Sequence, residues 1–588
     1  AAGCADGRAQ HRPHPAEGLG QTMATLAARS QPFGAAVERP QPQPLQITYQ
    51  RLMLMLLIFA GVTFLIVTRL LFLEVFTDRS ANAAAVNPLL PPRGDIVDRN
   101  NIPLARTIDA WTIGLRPRDV IGNRDEVAHR LAVLMPERTA DQYRAMLASG
   151  RTFIYLRRRA MPELVQAVNA IGEPALVFSR EPERLYPQTA LAGHVLGWTD
   201  LEGHGVAGME RVLDARLADP ARRGAPVALA IDSRVQAAME SELASAVTAL
   251  SAEGGTGIVL DVQTGEVVAM ASAPTFNPNS AGRSSPEALF NRATMGVYEL
   301  GSTFKPITIA AALDAGVVTS LSQHWDASAP VPIGRFRISD DHPLGRAITV
   351  PEILVHSSNI ATARIADQMG AERMQAIFRG LGFNEPAHIE LNERARTLWP
   401  ADWGRATVMT SGFGHGVAVT PLHLASAYAA LVNGGIWRPA TLMRVEPGHE
   451  ARGRRVFSAE TSYRMRQMLR LVVTHGTGRR GEAAGFRVGG KTGTAEKVSA
   501  TGGYSRRVNV STFAAAFPMD EPRYVVLVMM DAPQGIEENH FLTTAAWTAA
   551  PVVSRVIART GSLLGIIPDS GRDIDVSALL PLVGDSEH

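Results

Sequence analysis

From Leu52 to Thr68 the chain runs seventeen residues without a charge, and apolar residues resume beyond Arg69 as far as Leu73. The run is apolar on every side rather than along one stripe, which sets it apart from a surface helix. Its length suits a hydrocarbon layer of roughly 30 Å, with Arg69 snorkelling outward, so one membrane-spanning helix is predicted over 52–73. A cleaved signal is the rival, because Ala81-Asn82-Ala83 resembles a small-residue cleavage site. Against it, about fifty residues precede the run, whereas a signal keeps a short charged start. Residues 1–46 are rich in Ala, Pro, Gln and Gly without apolar periodicity, and a disordered tail is expected up to residue 51. Met23 is a candidate start.

From Glu74 to Arg223, Gly/Pro breaks alternate with short β-like runs such as Trp111–Leu115 and helix-like stretches such as Asp125–Leu134. That mixture predicts an elongated α+β module over 74–223. A second module is expected over 224–568. It opens with a helix-like Ser233–Leu250 and the β-like runs Gly257–Asp261 and Val267–Ala271, and ends with a strand at Tyr524–Met530. Residues 569–588 read as a thin Pro/Asp-rich tail.

Composition narrows the function classes. A chain of 588 residues is too long for one core. Lys+Arg number 58 against 56 Asp+Glu, and a net charge of +2 gives no field for a nucleic-acid partner. Cys4 is the single cysteine, which excludes an intrachain disulfide framework. The 15 histidines form no cluster of ligand spacing, so neither a metal nor another cofactor is expected.

Candidate chemistry lies in three short elements: Ser302-Thr303-Phe304-Lys305, Ser357-Ser358-Asn359 and Lys491-Thr492-Gly493-Thr494. Residues three apart on a helix share a face and rise by about 4.5 Å, so the Lys305 amine can reach back to the Ser302 hydroxyl. Pro306 is tolerated only in a first helical turn, which places the helix start, with its unsatisfied N–H groups, near Ser302. To act as a base, Lys305 must be neutral, which requires burial or a second cation, and Lys491 is the candidate for that cation. Taken singly, each element has an ordinary explanation as a cap or a turn; together they describe an active-site serine enzyme. One competitor is Gly485–Thr492, GFRVGGKT, which satisfies a phosphate-loop pattern, with Tyr524–Asp531 imitating a strand that ends in a metal-binding Asp. An ATPase would need an apolar strand before that loop and a long helix after it; polar residues precede it and Gly502-Gly503 follow.

The ordered trio is the set known for penicillin-binding proteins and class A β-lactamases. Beyond it, the chain resembles class B penicillin-binding proteins, most closely the FtsI-type septal peptidoglycan D,D-transpeptidases. Arg93–Asn100, Arg184-Leu185-Tyr186-Pro187 and Gly208-Met209-Glu210 resemble signatures of their N-terminal module. Leu229–Asp232, Gly257–Asp261 and Thr420-Pro421-Leu422 resemble landmarks of their catalytic domain. Two departures are visible: Leu300 where the family often has Pro, and Asn101 where it often has Gly.

The resemblance implies a serine β-lactamase-like transpeptidase domain of mixed α and β structure on a pedestal, the penicillin-binding protein dimerisation domain, behind a single membrane anchor. It implies that Ser302 is acylated by a stem peptide ending in D-Ala-D-Ala and that Lys305 takes the serine proton. Ser357 would relay that proton to the leaving amine, and Asn359 would hold Lys305 and the substrate amide. Lys491, Thr492 and Thr494 would grip the terminal carboxylate, with Gly493 allowing close approach. The N–H groups of Ser302 and Thr494 would form the oxyanion hole. β-Lactams would be inhibitors, and an FtsW-type glycosyltransferase and other division proteins the partners. Charges flanking the apolar run barely decide orientation. The resemblance decides it: a cytoplasmic tail, the bulk in the periplasm, and a place at the division septum. An elongation-type enzyme, a β-lactamase and a non-enzymatic division scaffold are the alternatives. Arg157-Arg158-Arg159 is expected to be a solvated face, and Lys497–Arg507 a loop at the cleft.

Overall fold

The computed structural model describes residues 44–76, 92–334, 336–498 and 504–584. The tail expected to be disordered lies outside them up to residue 43, as do the cleavage-like Ala81-Asn82-Ala83 and residues 499–503 of the expected cleft loop. The chain divides into two compact units, residues 1–83 and 84–588.

In the first unit, α1 (Pro44–Phe76) is a single helix of 33 residues. It starts before the uncharged run, so residues 44–51 belong to the helix and not to the tail. Pro44 is well suited to a first turn, and no breaker follows it. Its stretch from Arg51 to Arg69 is long and apolar enough to cross a membrane. The hydroxyls of Thr63 and Thr68 donate to Phe59 O and Phe64 O, one turn back. Their polarity is thereby satisfied inside the helix, as an apolar environment demands.

The second unit opens with β1 (Ile96–Val97), β2 (Pro103–Leu115), α2 (Arg124–Leu134), α3 (Ala140–Leu147), β3 (Ile154–Ala160), α4 (Pro162–Asn169), β4 (Leu176–Leu185) and β5 (Val227–Ala228). The long strand β2 pairs antiparallel with β1, β3 and β4, and β1 pairs parallel with β5. Alternate positions of β2 turn Ile113 and Leu115 into a small core with Leu131, Tyr143 and Leu147.

Beneath that sheet the three N-terminal signatures converge on one buried ion cluster. Arg93 Nε donates to Glu210 Oε2 at 2.8 Å and Arg184 Nε to Glu210 Oε1 at 2.7 Å. Glu210 is 0 % exposed. Asp98 accepts from both the N–H and the hydroxyl of Ser233. Asn101 sits at φ +63°. This explains its exchange for Gly, since Asn is among the few side chains that tolerate the left-handed region. Glu210→Ala would leave the buried Arg184 guanidinium without its carboxylate and Arg93 with Asp214 alone, and a loss of about 3–5 kcal/mol is expected. Thermal unfolding of the detergent-solubilised protein checks it.

Further along come α5 (Ser233–Ala249), β6 (Gly254–Asp261), β7 (Val267–Ala273), α6 (Lys305–Asp314), β8 (Val331–Ile333), β9 (Phe336–Ile338), α7 (Val350–Val355), α8 (Asn359–Gly380, broken at Gly370), α9 (Ala459–His475), β10 (Gly489–Val498), β11 (Tyr504–Phe517), β12 (Tyr524–Asp531) and α10 (Ala549–Thr560). The strands form a second antiparallel sheet in the order β10-β11-β12-β6-β7, with β10 at an edge. Strands β6 and β12 are buried along their whole length, as expected of central strands covered on both faces. Val235, Met239 and Leu243 of α5, with Val552, Val556 and Ile557 of α10, pack on one face against Phe513, Phe517 and Val526. The other face is covered by a cluster that includes Phe304, Ile307, Phe378, Tyr428 and Leu469.

That cluster also takes in Ile96, Leu104, Tyr186 and Ile231, so the expected boundary at 223/224 is crossed by a continuous core. The tail is likewise packed as far as described. Arg470 Nε donates to Asp573 Oδ2 at 2.8 Å, Ile574 and Leu579 are buried, and the Thr349 hydroxyl donates to Leu582 O at 2.6 Å.

Candidate active site

Ser302 lies in a tight turn, Gly301–Phe304, that feeds directly into α6. Gly301 takes φ +56°, which turns the chain sharply before the serine. Phe304 anchors the turn against the rings of Phe378 and Phe383, with centroids at 5.7 and 5.4 Å. The Tyr428 hydroxyl donates to Thr303 O from below at 2.9 Å. The serine thus sits on a rigid base, half-buried, while Lys305 is fully buried beside it.

Lys305 Nζ lies 2.7 Å from Ser302 Oγ, 2.6 Å from Ser357 O, 3.0 Å from Ser357 Oγ and 2.7 Å from Asn359 Oδ1. Two of these partners, Ser357 O and Asn359 Oδ1, can only accept. They fix two N–H bonds of a neutral amine, and its lone pair is left for a serine O–H. Burial lowers the Lys305 pKa to about 7, against an opposing push from Asp340 and Asp341. A base of that pKa is matched to neutral pH.

Ser357 adopts φ +60°, uncommon for a residue with a side chain, at the junction of α7 and α8. The conformation is held by neighbours that the motif alone did not reveal. Asp340 accepts from the Ser358 hydroxyl at 2.7 Å and from the Ile360 N–H at 2.9 Å, so it brackets Asn359 on both sides. Asn359 Nδ2 donates to Ser339 O at 3.0 Å, which turns Oδ1 toward Lys305. Ser339 and Asp340 follow the hairpin β8–β9, eighteen or more residues upstream of the turn they support. Asp340→Asn removes a charge that raises the Lys305 pKa. The pH midpoint of Ser302 acylation is therefore expected to move lower, with a rate loss of about tenfold from the loosened turn. A pH–rate profile checks both, and an upward shift would sink the role given to Asp340.

The third element lies against the first. A Cβ on Gly493 would fall 2.4 Å from Leu300 O, and one on Gly301 3.0 Å from Thr494 O. Only bare backbone at 493 lets the edge strand β10 approach the Ser302 turn so closely. Lys491 is fully buried, and its Nζ donates to Thr492 O at 3.0 Å. Its hydrogen bonds go to Thr492 and not to Ser302 or Ser357. The electrostatics give burial, and not Lys491, as the leading cause of the lowered Lys305 pKa. Burial moves Lys305, whereas Lys491 is itself pushed well down, by burial first and by Lys305 second.

On the outer face of β10, the hydroxyls of Thr492 and Thr477 share a hydrogen bond at 2.7 Å, and Thr494 Oγ1 accepts from the Ala545 N–H at 3.1 Å. Thr477 and Ala545 carried no recognisable signal in the sequence. His415, in the loop whose Gly414 O accepts from the Gly301 N–H, completes the surroundings. Burial lowers its pKa, Glu299 opposes that and Lys305 adds to it. The phosphate-loop alternative fails on backbone grounds. Lys491 and Thr492 lie in a strand paired with β11, with no helix N-terminus after them, and Asp531 is bound to Lys497 at 2.8 Å.

Known proteins share both of these domains. Residues 255–557 match the penicillin binding protein transpeptidase domain, and residues 88–218 the penicillin-binding protein dimerisation domain. The chain is 40 % identical over 488 residues to the probable peptidoglycan D,D-transpeptidase FtsI of Caulobacter vibrioides, covering 81 % of this chain and 82 % of the relative. It is 30 % identical to the peptidoglycan D,D-transpeptidase FtsI of Escherichia coli K12, with coverage of 81 % and 84 %. Among solved structures, penicillin-binding protein 3 of Mycobacterium tuberculosis complexed with ampicillin matches at a TM-score of 0.65 and 26 % identity, covering 83 % of this chain and 99 % of that one. The chain therefore belongs to the penicillin-binding protein transpeptidases, of the FtsI type.

Proposed function

We infer that the chain cross-links peptidoglycan stem peptides during septal wall synthesis, through an acyl-enzyme on Ser302. The observation that carries this reading is the 2.7 Å contact between Ser302 Oγ and a Lys305 amine whose two N–H bonds are committed to carbonyl oxygens. As Ser302 Oγ bonds to the penultimate D-Ala carbonyl carbon, its proton passes to Lys305 Nζ. Ser357, 3.0 Å from that amine, returns a proton to the departing nitrogen of the terminal D-Ala. Asn359 holds Lys305 and the substrate amide, and the N–H groups of Ser302 and Thr494 face the oxyanion. An acceptor amine then displaces Ser302 from the acyl carbon and gives up its proton, so the enzyme is regenerated with one new amide bond.

A β-lactam follows the first half of this course and stops at the acyl-enzyme. A relative solved with aztreonam and with ampicillin supports that reading. The Arg51–Arg69 stretch of α1 anchors the chain in the inner membrane with its bulk in the periplasm. Glycan polymerisation is left to an FtsW-type glycosyltransferase. The test is intact mass after exposure to benzylpenicillin, with the adduct mapped by peptide digestion. One adduct on the peptide containing Ser302 is expected; an adduct elsewhere, or none, would overturn the reading.

A further inference from the structure

A peptide that ends in a carboxylate needs a full positive charge or several donors to replace the water it loses. The cleft described so far is poor in both. Lys305 and Lys491 are fully buried and turned to Ser302, Ser357, Asn359 and Thr492, and the Thr492 hydroxyl shares a hydrogen bond with Thr477 in which either can donate. Thr494 Oγ1 accepts from the Ala545 N–H, which leaves its own hydrogen to give.

Beside this face stands Arg480. It is exposed, three residues beyond Thr477, whose hydroxyl touches Thr492. Its guanidinium carbon sits over Trp547, 3.4 Å from the ring centroid, and Trp547 is two residues beyond Ala545, which touches Thr494. The indole is in turn fixed edge-on by His540, with centroids at 5.0 Å. Both ends of the Arg480–Trp547 stack are therefore tied to the two threonines of β10. Among the described residues no carboxylate pairs with Arg480, in contrast to Arg470, which holds Glu482 and Asp573. A guanidinium held over a ring keeps N–H groups for a ligand, and a carboxylate fits its fork with two parallel hydrogen bonds.

We propose that Arg480, held over Trp547, is a specificity-determining residue that receives a stem-peptide carboxylate on the outer face of β10, together with the Thr494 hydroxyl. The inference rests on the transpeptidase reading and adds to it the group that recognises the charged end of the peptide. Two carboxylates share this chemistry, the terminal one of the donor and those of the acceptor, and the experiment separates them.

The full-length protein and its Arg480→Gln and Arg480→Lys variants are compared in acylation by benzylpenicillin and by its carboxamide, and in cross-linking with acceptor peptide varied. If the donor carboxylate is bound, Arg480→Gln slows acylation by the free acid about ten- to a hundredfold. It leaves the carboxamide rate of the wild type unchanged, a coupling that a merely structural role would not produce. Arg480→Lys keeps the charge but not the fork, and restores part of the rate. If an acceptor carboxylate is bound, acylation is unaltered and the acceptor KM rises by a similar factor. Equal rates and equal KM for all three proteins overturn the proposal, as does an equal loss with acid and carboxamide. A wild-type protein that forms no adduct would instead sink the transpeptidase reading, so the two failures are distinguishable.

Discussion

Ser302→Ala is expected to abolish penicillin labelling and cross-linking together, with a fall of about four orders of magnitude or more in acylation. No other hydroxyl can substitute. The Ser357 hydroxyl lies 3.0 Å from the same amine, but its backbone is held at φ +60° in the turn between α7 and α8, away from the turn against β10. Folding should be unaffected, because Ser302 contributes one partly exposed hydroxyl and no packing. The measurement is intact mass after long exposure to benzylpenicillin, beside a thermal melt. An adduct on the variant, or normal cross-linking by it, would make the chain a scaffold with a dispensable serine.

Lys305→Arg is the second large effect. Arginine keeps the positive charge but is never deprotonated, so it cannot take the serine proton. A loss of about 10²–10⁴-fold in acylation is expected. The wild-type pH profile supplies the complementary test. With Lys305 at about 7, acylation should climb as pH rises through that value and level off above it. In the arginine variant this limb should disappear from whatever rate remains. The linkage to stability has the same sign. The folded pKa lies below the ordinary value of 10.5, so the unfolded chain binds more protons between these two values. The contribution of Lys305 to stability therefore grows with pH across that window. A profile that falls with rising pH near 7 would exclude Lys305 as the base.

The three motif elements were legible because each carries its reacting group within four residues, and a helical or extended backbone brings those groups together locally. The supports were not, since they come from elsewhere. Asp340 reaches Ser358 from another segment, Tyr428 reaches Thr303 from more than a hundred residues away, and Ala545 reaches Thr494 across the fold. That burial is the leading cause of the lowered Lys305 pKa was also hidden. How far an amine is pushed down depends on how dry its site is, and burial is a property of the finished core. The strands at Trp111–Leu115 and Tyr524–Met530 followed from apolar runs, whereas the start of α1 and the packed tail did not. Polar residues such as Gln50 and Asp573 look alike in a coil and on an ordered backbone, and only a partner such as Arg470 distinguishes them.

The contact between Thr349 and Leu582 sets the tail in series with the chemistry. Thr349 caps α7, and the far end of that helix delivers Ser357 to Lys305. Any load hung just past Leu582, such as a reporter domain or a surface tether, is transmitted along one short rod to Ser357, the residue proposed to relay the proton. Labels for imaging or immobilisation belong away from this segment.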